Sequence, residues 1–167
     1  MKKLGIVLVA AFAAFAASSA HASGTATANA TANIVVGISI ANNTGLNFGQ
    51  VVPGATAGTV VVPAVASPTR TATGGTVLGN VGSTSSTSFT VTGAANATYT
   101  IPAFPNSFTV TDGTNTMVVN TFTASTYGTL SAGGTQTFYM GATLNVGASQ
   151  PFTGPFNGTY TVTVAYN

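Results

Sequence analysis

Charged side chains are almost absent from this sequence of 167 residues. Its three basic residues are Lys2, Lys3 and Arg70, and its one acidic residue is Asp112. A nucleic-acid-binding surface needs clustered lysine and arginine to displace counterions from phosphates, and a polybasic membrane attachment needs a similar cluster. We therefore expect neither nucleic-acid binding nor attachment to a membrane through charge. A net charge close to zero also weakens the repulsion between copies, which favours self-association.

The groups that most enzymes use for catalysis are equally scarce. Glycoside hydrolysis normally needs two carboxylic side chains, and only Asp112 carries one. A serine nucleophile needs histidine or lysine as a base, and neither occurs after residue 22. Metal sites built from histidine, cysteine or several carboxylates lack their ligands too. We expect no catalytic residue, no metal and no cofactor. Asp112-Gly113 is predicted to form a hairpin turn, and Arg70 to be a solvated loop or edge residue.

Cysteine is missing altogether, although the N-terminus predicts export to an oxidising compartment. Two lysines are followed by an apolar run from Leu4 to Ala17 and then by Ala20-His21-Ala22, the pattern of a secretory signal peptide. The run is too short to span a bilayer core of ~30 Å. We predict a signal peptide at residues 1–22, cleaved after Ala22. The exported chain would then fold without disulfide bonds and would not insert directly into a membrane.

Apolar and polar residues alternate through the remainder of the chain, as in strands with one buried face. Turn residues rich in glycine and asparagine separate these runs. The sequence therefore predicts one all-β domain at residues 34–167, an antiparallel immunoglobulin-like β-sandwich, with a barrel as the alternative. The predicted stripes are Phe89 and Val91; Phe108 and Val110; Phe138, Met140, Ala142, Leu144 and Val146; and Tyr160, Val162, Val164 and Tyr166.

The start of the predicted mature chain has a stripe of its own. From Ala26 to Ile40 every even position is apolar, and this stretch is much longer than a usual strand of about 5–6 residues. We therefore expect two elements, a core strand at Ile34–Ile40 and an extended segment at residues 23–33. The extended segment is either a polar tail or a donor that pairs with an open sheet edge of another copy.

Three stretches carry a family resemblance. They are Thr25-Ala26-Thr27-Ala28-Asn29-Ala30 leading into Ile34–Ile40, Leu46-Asn47-Phe48-Gly49 followed by Val51-Val52-Pro53-Gly54, and a C-terminus with penultimate Tyr166 and with Gly154 as the fourteenth residue from the end. The sequence resembles the cysteine-free branch of the chaperone–usher bacterial pilins. It is also similar to a family of short secreted bacterial domains of unknown function.

The resemblance implies an incomplete sandwich that is completed by a donated strand. The implied partners are copies of the same chain, a periplasmic chaperone and an outer-membrane usher. The implied product is a pilus or fimbria at the cell surface, reached through the periplasm, with a role in cell adhesion. The implied donor residues are Ala26, Ala28, Ala30, Ala32 and Ile34, and the implied acceptor and chaperone edge contains Gly154, Tyr160, Val162, Val164 and Tyr166.

Two functional hypotheses of different class follow. The first is a structural subunit of a surface polymer that assembles by β-strand complementation. The second is a monomeric secreted recognition module that binds a carbohydrate or another surface through Tyr99, Tyr127, Tyr139 or threonine-rich faces. Deleting the N-terminal segment separates them, because only the first hypothesis makes assembly depend on it.

Overall fold

The computed structural model describes residues 23–167, and the predicted signal peptide at residues 1–22 lies outside the described part. Residues 23–167 contain strands and no helix, and every strand pairing is antiparallel. In this part of the chain, therefore, no helix has the length and apolar character needed to cross a membrane. The predicted all-β antiparallel fold is confirmed, and the arrangement is consistent with a β-sandwich. The strands are β1 (Ser39–Thr44), β2 (Val51–Val52), β3 (Gly58–Val62), β4 (Thr71–Gly74), β5 (Val77–Leu78), β6 (Thr87–Thr92), β7 (Tyr99–Thr100), β8 (Ser107–Thr111), β9 (Thr116–Ala124), β10 (Thr135–Val146) and β11 (Ala165–Tyr166).

The longest strand, β10, organises the main sheet. Met140 pairs with Thr87 of β6 and with Ala124 of β9. Leu144 pairs with Val60 of β3 and with a second residue of β9. Because two strands that pair with one residue lie on opposite sides of it, β9 follows one edge of β10, while β6 and β3 share the other edge in succession.

The change of partner on that edge occurs at Gly141. Pairing with β6 ends at Met140, and pairing with β3 begins at Ala142. A Cβ atom at Gly141 would stand 2.1 Å from the carbonyl oxygen of Val62, so only glycine fits. The sheet continues with β1 on β6, β4 on β3 and β8 on β9, and it curls strongly. β7 with β11 and β2 with β5 form two separate short sheets.

Buried side chains form two clusters along the sheet. The stripe predicted on β10 is confirmed, since its five apolar residues are all at most 4% exposed. Stacked rings of Phe89 and Phe138, with centroids 5.4 Å apart, lie in the first cluster. The first core cluster contains Phe89, Val91, Tyr99, Ile101, Leu130, Phe138 and Met140. The second core cluster contains Val60, Val110, Val119, Ala142, Leu144 and Val146.

The first strand is shorter than the sequence predicts. β1 begins at Ser39, which pairs with the last residue of β6, so the residues before it have no strand to pair with. Ile34 is 94% exposed and Val36 is 64% exposed, whereas Ile38 and Ile40 pack against the first core cluster. The expectation of a core strand throughout Ile34–Ile40 is therefore wrong for its first half.

The compact unit that contains the sheets spans Ile34–Asn167. Residues 23–33 are not part of it. Each of them is exposed, and none has regular secondary structure.

Candidate functional site: an apolar groove beside the C-terminal segment

In the C-terminal segment, residues 158–166, buried and exposed side chains alternate as in a strand, but little of the backbone is paired with a neighbouring strand. Its even-numbered residues from Tyr160 to Tyr166 are half-buried against the first core cluster, and the threonines between them are exposed. Ladder pairing is limited to Ala165 and Tyr166, which pair with β7. Within residues 23–167, no backbone hydrogen bond joins residues 158–164 to a neighbouring strand. The buried face predicted for Tyr160–Tyr166 is therefore confirmed, but only Ala165–Tyr166 forms a paired strand. Among the described residues, the stretch 158–164 has a row of unpaired amides and carbonyls.

Tyr160 fixes the start of this segment. Its ring centroid lies 5.0 Å from that of Phe108 and 5.3 Å from that of Phe122. Its hydroxyl forms a hydrogen bond with the hydroxyl of Thr87, a residue that is 2% exposed. Burial raises the pKa of Tyr160, and the hydrogen bond with Thr87 only partly opposes this. The phenol is therefore neutral at physiological pH and anchors the segment to β6.

A groove with a volume of about 1020 Å³ adjoins the start of this segment, where residues 158–160 line it. One side, here called the β1–β2 wall, consists of residues 45–51. The other side, here called the C-terminal wall, consists of residues 152–160. Ligand-binding clefts in proteins usually have volumes of about 300–1,000 Å³, so this groove has the size of a binding site. The floor contains the side chains of Thr87, Phe89, Phe108, Val110, Met117, Leu144 and Val146.

Arg70 holds the β1–β2 wall in place. Its Nη1 atom donates to the carbonyl oxygens of Phe48 and, at 2.8 Å, of Gln50. Its Nη2 atom donates to the carbonyl oxygen of Gly79 at 2.7 Å. Gly49 lies between the first two acceptors with a φ of +66°, and a Cβ atom there would be 2.5 Å from Nη1. The prediction of a loop or edge residue is confirmed, since Arg70 lies just before the edge strand β4. The prediction that its side chain is solvated is wrong, because the half-buried guanidinium donates to three backbone carbonyls.

Asp112 holds the C-terminal wall in place from the turn between β8 and β9, where the hairpin prediction is confirmed. Its Oδ1 atom accepts from the amides of Thr114 at 3.0 Å and Asn115 at 2.7 Å. Its Oδ2 atom accepts from the amide of Thr153 at 2.6 Å. Desolvation raises the pKa of Asp112, but hydrogen bonds from Asn115, Thr153 and Thr114 outweigh it and place the pKa well below its usual range. The carboxylate is thus ionised and engaged by amides.

Tyr166 closes the end of the C-terminal segment. Its hydroxyl donates to the carbonyl oxygen of Val36 at 2.7 Å and accepts from the amide of Ala94 at 2.7 Å. A Cβ atom on Gly93 would stand 2.3 Å from this hydroxyl, so a side chain at that position would displace it. The penultimate tyrosine thus ties the residues before β1 to the loop after β6.

The predicted acceptor residues divide into two groups. Gly154 and Tyr160 line the groove directly. Val162, Val164 and Tyr166 continue the half-buried row against the first core cluster. Sequence reasoning did not identify the β1–β2 wall as part of the site, nor the roles of Arg70 and Asp112. Two signals were available: Leu46–Gly49 and Val51–Gly54 carry part of the family resemblance, and Arg70 and Asp112 are the only charged residues after position 22.

The predicted donor residues are accessible. Ala26, Ala28, Ala30 and Ala32 are exposed, on a segment without regular structure. Ile34 belongs to the compact unit and is 94% exposed. A row of apolar side chains at alternate positions is therefore open to contact with another molecule.

Two of the three tyrosines proposed to read a ligand, Tyr99 and Tyr127, are used for packing, while Tyr139 is half-buried. Tyr99 is 1% exposed, and its hydroxyl donates to Oε1 of Gln136 at 2.8 Å. Burial raises the pKa of Tyr99. The ring of Tyr127 packs against Phe104 and Phe138, with centroids 5.6 and 5.7 Å away. The expectation that Tyr99 reads a ligand is therefore wrong. Across the described residues, no three histidine, cysteine, aspartate or glutamate side chains are close enough to hold a metal ion.

Comparison with known protein families shows a match that covers all eleven strands of residues 23–167. Residues 38–166 match the model of a family described as a domain of unknown function, DUF4402. The match runs from just before β1 to the end of β11, so it includes the groove and both of its walls. The expected similarity to a family of domains of unknown function is confirmed. No curated protein and no solved structure matches the chain.

Proposed function

The chain belongs to the DUF4402 family, and we propose that it is a structural subunit of a bacterial surface pilus or fimbria that assembles by β-strand complementation. The groove of one copy receives the N-terminal segment of the next, residues 23–34. The observation that carries the proposal is the unpaired backbone of residues 158–164, which begins at residues 158–160 on the wall of an apolar groove of about 1020 Å³.

The backbone of the C-terminal segment supports strand addition. An extended peptide that enters beside residues 158–164 supplies the amide and carbonyl partners that this stretch lacks among the described residues. An uncovered strand edge also invites nonspecific aggregation, which proteins usually resist with charged side chains. Arg70 and Asp112 cannot do this, because both are engaged with backbone groups at the groove walls. A specific occupant for the edge meets that need.

The side chains support a strand as the occupant. The floor of the groove is mainly apolar, with Phe89, Phe108, Leu144 and Val146 among its residues. A strand presents alternate side chains to one face, and the even positions of residues 26–34 supply an apolar row with this period. The polar odd positions would then face solvent, as the threonines of the C-terminal segment do.

Export and helper proteins complete the proposal. The predicted signal peptide would deliver the chain to the periplasm, where a chaperone would cover the groove until an outer-membrane usher exchanges it for the next subunit. These partners follow from the resemblance to pilins, and the exposed groove gives a physical reason for them. The role is structural, without catalysis, metal or cofactor.

Two substitutions on opposite faces of the N-terminal segment test the proposal. Ala30→Lys places an ammonium group on the face that enters the groove, whereas Thr31→Lys adds the same charge to the face that stays in solvent. Burying an unpaired charge is costly, so Ala30→Lys should weaken self-association by at least about tenfold, and Thr31→Lys by no more than about twofold. Sedimentation velocity and electron microscopy of the purified chain measure this.

The outcomes separate the two functional hypotheses. Ala30 and Thr31 are both exposed within a single chain, so neither change should alter the fold, and circular dichroism checks this. If the wild-type chain stays monomeric at every concentration, or if both variants assemble like the wild type, the polymer proposal is wrong. A monomeric recognition module is then the better explanation.

A further inference from the structure

The two charged side chains in residues 23–167 both bond to the backbone at the edges of the groove. Arg70 binds carbonyl groups of the β1–β2 wall, and Asp112 binds an amide of the C-terminal wall. From this placement we infer that Arg70 and Asp112 are positioning residues that set the width of the groove and thereby its affinity for the inserted strand. The inference rests on the proposed function and assigns a role within it to the only charges the exported chain retains.

Arg70 joins the β1–β2 wall to the chain that follows β5. Its planar guanidinium bonds to Phe48 and Gln50 on the wall and to Gly79 after β5. These two stretches already meet through the amide of Gly79, which donates to the carbonyl oxygen of Gln50 at 2.9 Å. A guanidinium has several donors in a fixed plane, whereas an ammonium is a compact point charge. Arginine can therefore hold three carbonyl groups at fixed separations, and lysine cannot.

Asp112 attaches the C-terminal wall at a second point. Asn157 and Thr111 already exchange backbone hydrogen bonds of 2.8 and 2.9 Å. The bond from the Thr153 amide to Asp112 adds an attachment four residues earlier. Between them lies Gly154, where an added Cβ atom would meet nothing within 4 Å. Without the Asp112 bond, residues 151–155 would lose the attachment in their middle, while Gln150 would keep its bond to Gly147 and Phe156 its packing against the second core cluster.

Fixed walls favour the entry of a strand. A groove that is already ordered loses less conformational entropy when a peptide binds, so preorganisation increases affinity. Hydrogen bonds to ionised groups are roughly twice as strong as neutral ones. Each of these two charges therefore stabilises its wall more than a neutral side chain of similar shape would.

Asp112→Asn tests whether the Asp112 carboxylate holds the C-terminal wall. The amide oxygen can take the Oδ1 position and still accept from Thr114 and Asn115, which keeps the turn. The amide nitrogen then takes the Oδ2 position and faces two donors, the Thr153 amide and the side-chain amide of Asn115, so both of those bonds are lost. Thr111→Val is the matched control. It removes the hydroxyl that contacts Gly113 and Asn115 in the same hairpin but does not contact Thr153.

Fluorescence anisotropy measures the Kd of a labelled peptide of residues 23–36 for the full chain and for each variant. Urea unfolding measures the free energy of unfolding of the same proteins. We expect the Kd of Asp112→Asn to rise by about tenfold and that of Thr111→Val by less than about twofold. Arg70→Lys should also raise the Kd by about tenfold, because it retains the charge but loses the planar set of donors.

Three outcomes decide the inference. Variants that lose stability but bind the peptide as the wild type does would overturn it, since both residues would then serve the fold alone. If Asp112→Asn does not fold, Thr153→Pro removes the same bond from the other side by deleting the amide, and an unchanged Kd there would overturn it as well. If the wild-type chain itself binds no peptide, the proposed function fails, and this inference fails with it.

Discussion

The hydroxyl groups of Tyr160 and Thr87 share one hydrogen bond at the point where the C-terminal segment meets the sheet. Thr87 is 2% exposed, so its hydroxyl has no access to bulk water. A buried donor that loses its partner has a cost of about 1–3 kcal/mol, which exceeds the net benefit of the bond itself. The two side chains should therefore behave as a coupled pair.

A double-mutant cycle tests this coupling. Tyr160→Phe leaves the Thr87 hydroxyl unpaired and should lower the free energy of unfolding by about 1–3 kcal/mol. Thr87→Val should lower it too, because this change leaves the Tyr160 hydroxyl without its partner. The double variant removes both hydroxyls, so its loss should be smaller than the sum of the single losses by about 1 kcal/mol. Urea unfolding measures all three, and strict additivity would contradict the pairing.

Residue roles at the groove were only partly predictable from sequence. The Asp112-Gly113 turn follows from local chemistry, because aspartate and glycine favour tight turns. The functions of Arg70 and Asp112 depend on carbonyl and amide groups that are remote in sequence, at Phe48, Gly79 and Thr153. No local pattern encodes such a convergence, so the position of Arg70 in a loop beside an edge strand was predictable, whereas the bonds of its guanidinium were not.

At the scale of elements, β10 shows when alternation is sufficient for prediction. Its apolar stripe is long and both of its edges are paired, so pattern and structure agree. The stripes at Ile34–Ile40 and Tyr160–Tyr166 have the same alternation but lack a neighbouring strand over most of their length among residues 23–167. Alternation predicts which face is buried, whereas pairing depends on a partner that the local sequence does not specify.

Gly141 provides a test of how β10 changes partners. In Gly141→Ala the new methyl group would stand 2.1 Å from the Val62 carbonyl and 2.7 Å from the carbonyl carbon of Pro63. Both are backbone atoms, so β3 would have to move away, at a cost of about 1–3 kcal/mol. The control is Gly147→Ala, just after β10, where the nearest atom is the end of the flexible Gln150 side chain.

Thermal or urea unfolding of the two variants measures the difference. Gly147→Ala should stay within about 0.5 kcal/mol of the wild type. Equal effects of the two substitutions would mean that the close approach of β3 to β10 does not constrain the sheet.

At the scale of the whole molecule, a chain with few charges combines an apolar groove with an exposed, alternating N-terminal segment. The antiparallel β fold followed from composition and alternation. The groove could not be predicted in the same way, because it arises where residues 45–51 and residues 152–160 come together across the sheet. The proposed subunit links these features, since the segment of one copy would supply the partner that the C-terminal segment of another copy lacks.

The most direct test of this link is disulfide cross-linking between copies. The chain has no cysteine of its own, so only the introduced cysteines can form disulfides. Cysteine is introduced at Thr161, on the exposed face of the unpaired segment, together with one cysteine at Thr27, Asn29 or Thr31. Directly opposed residues on neighbouring strands have Cβ atoms about 4.5–5.5 Å apart, close enough for a disulfide after a small adjustment. In the matched control, the first cysteine is introduced at Thr73 and Thr161 is left unchanged. Thr73 is an exposed residue of the edge strand β4.

Oxidation followed by non-reducing electrophoresis gives the measurement. If the N-terminal segment of one copy lies beside the C-terminal segment of the next, at least one Thr161 pair will form a ladder of dimers, trimers and longer species, while the Thr73 pairs stay monomeric. A ladder that is equally strong with Thr73, or monomers alone with every Thr161 pair, would contradict assembly by strand complementation at this groove.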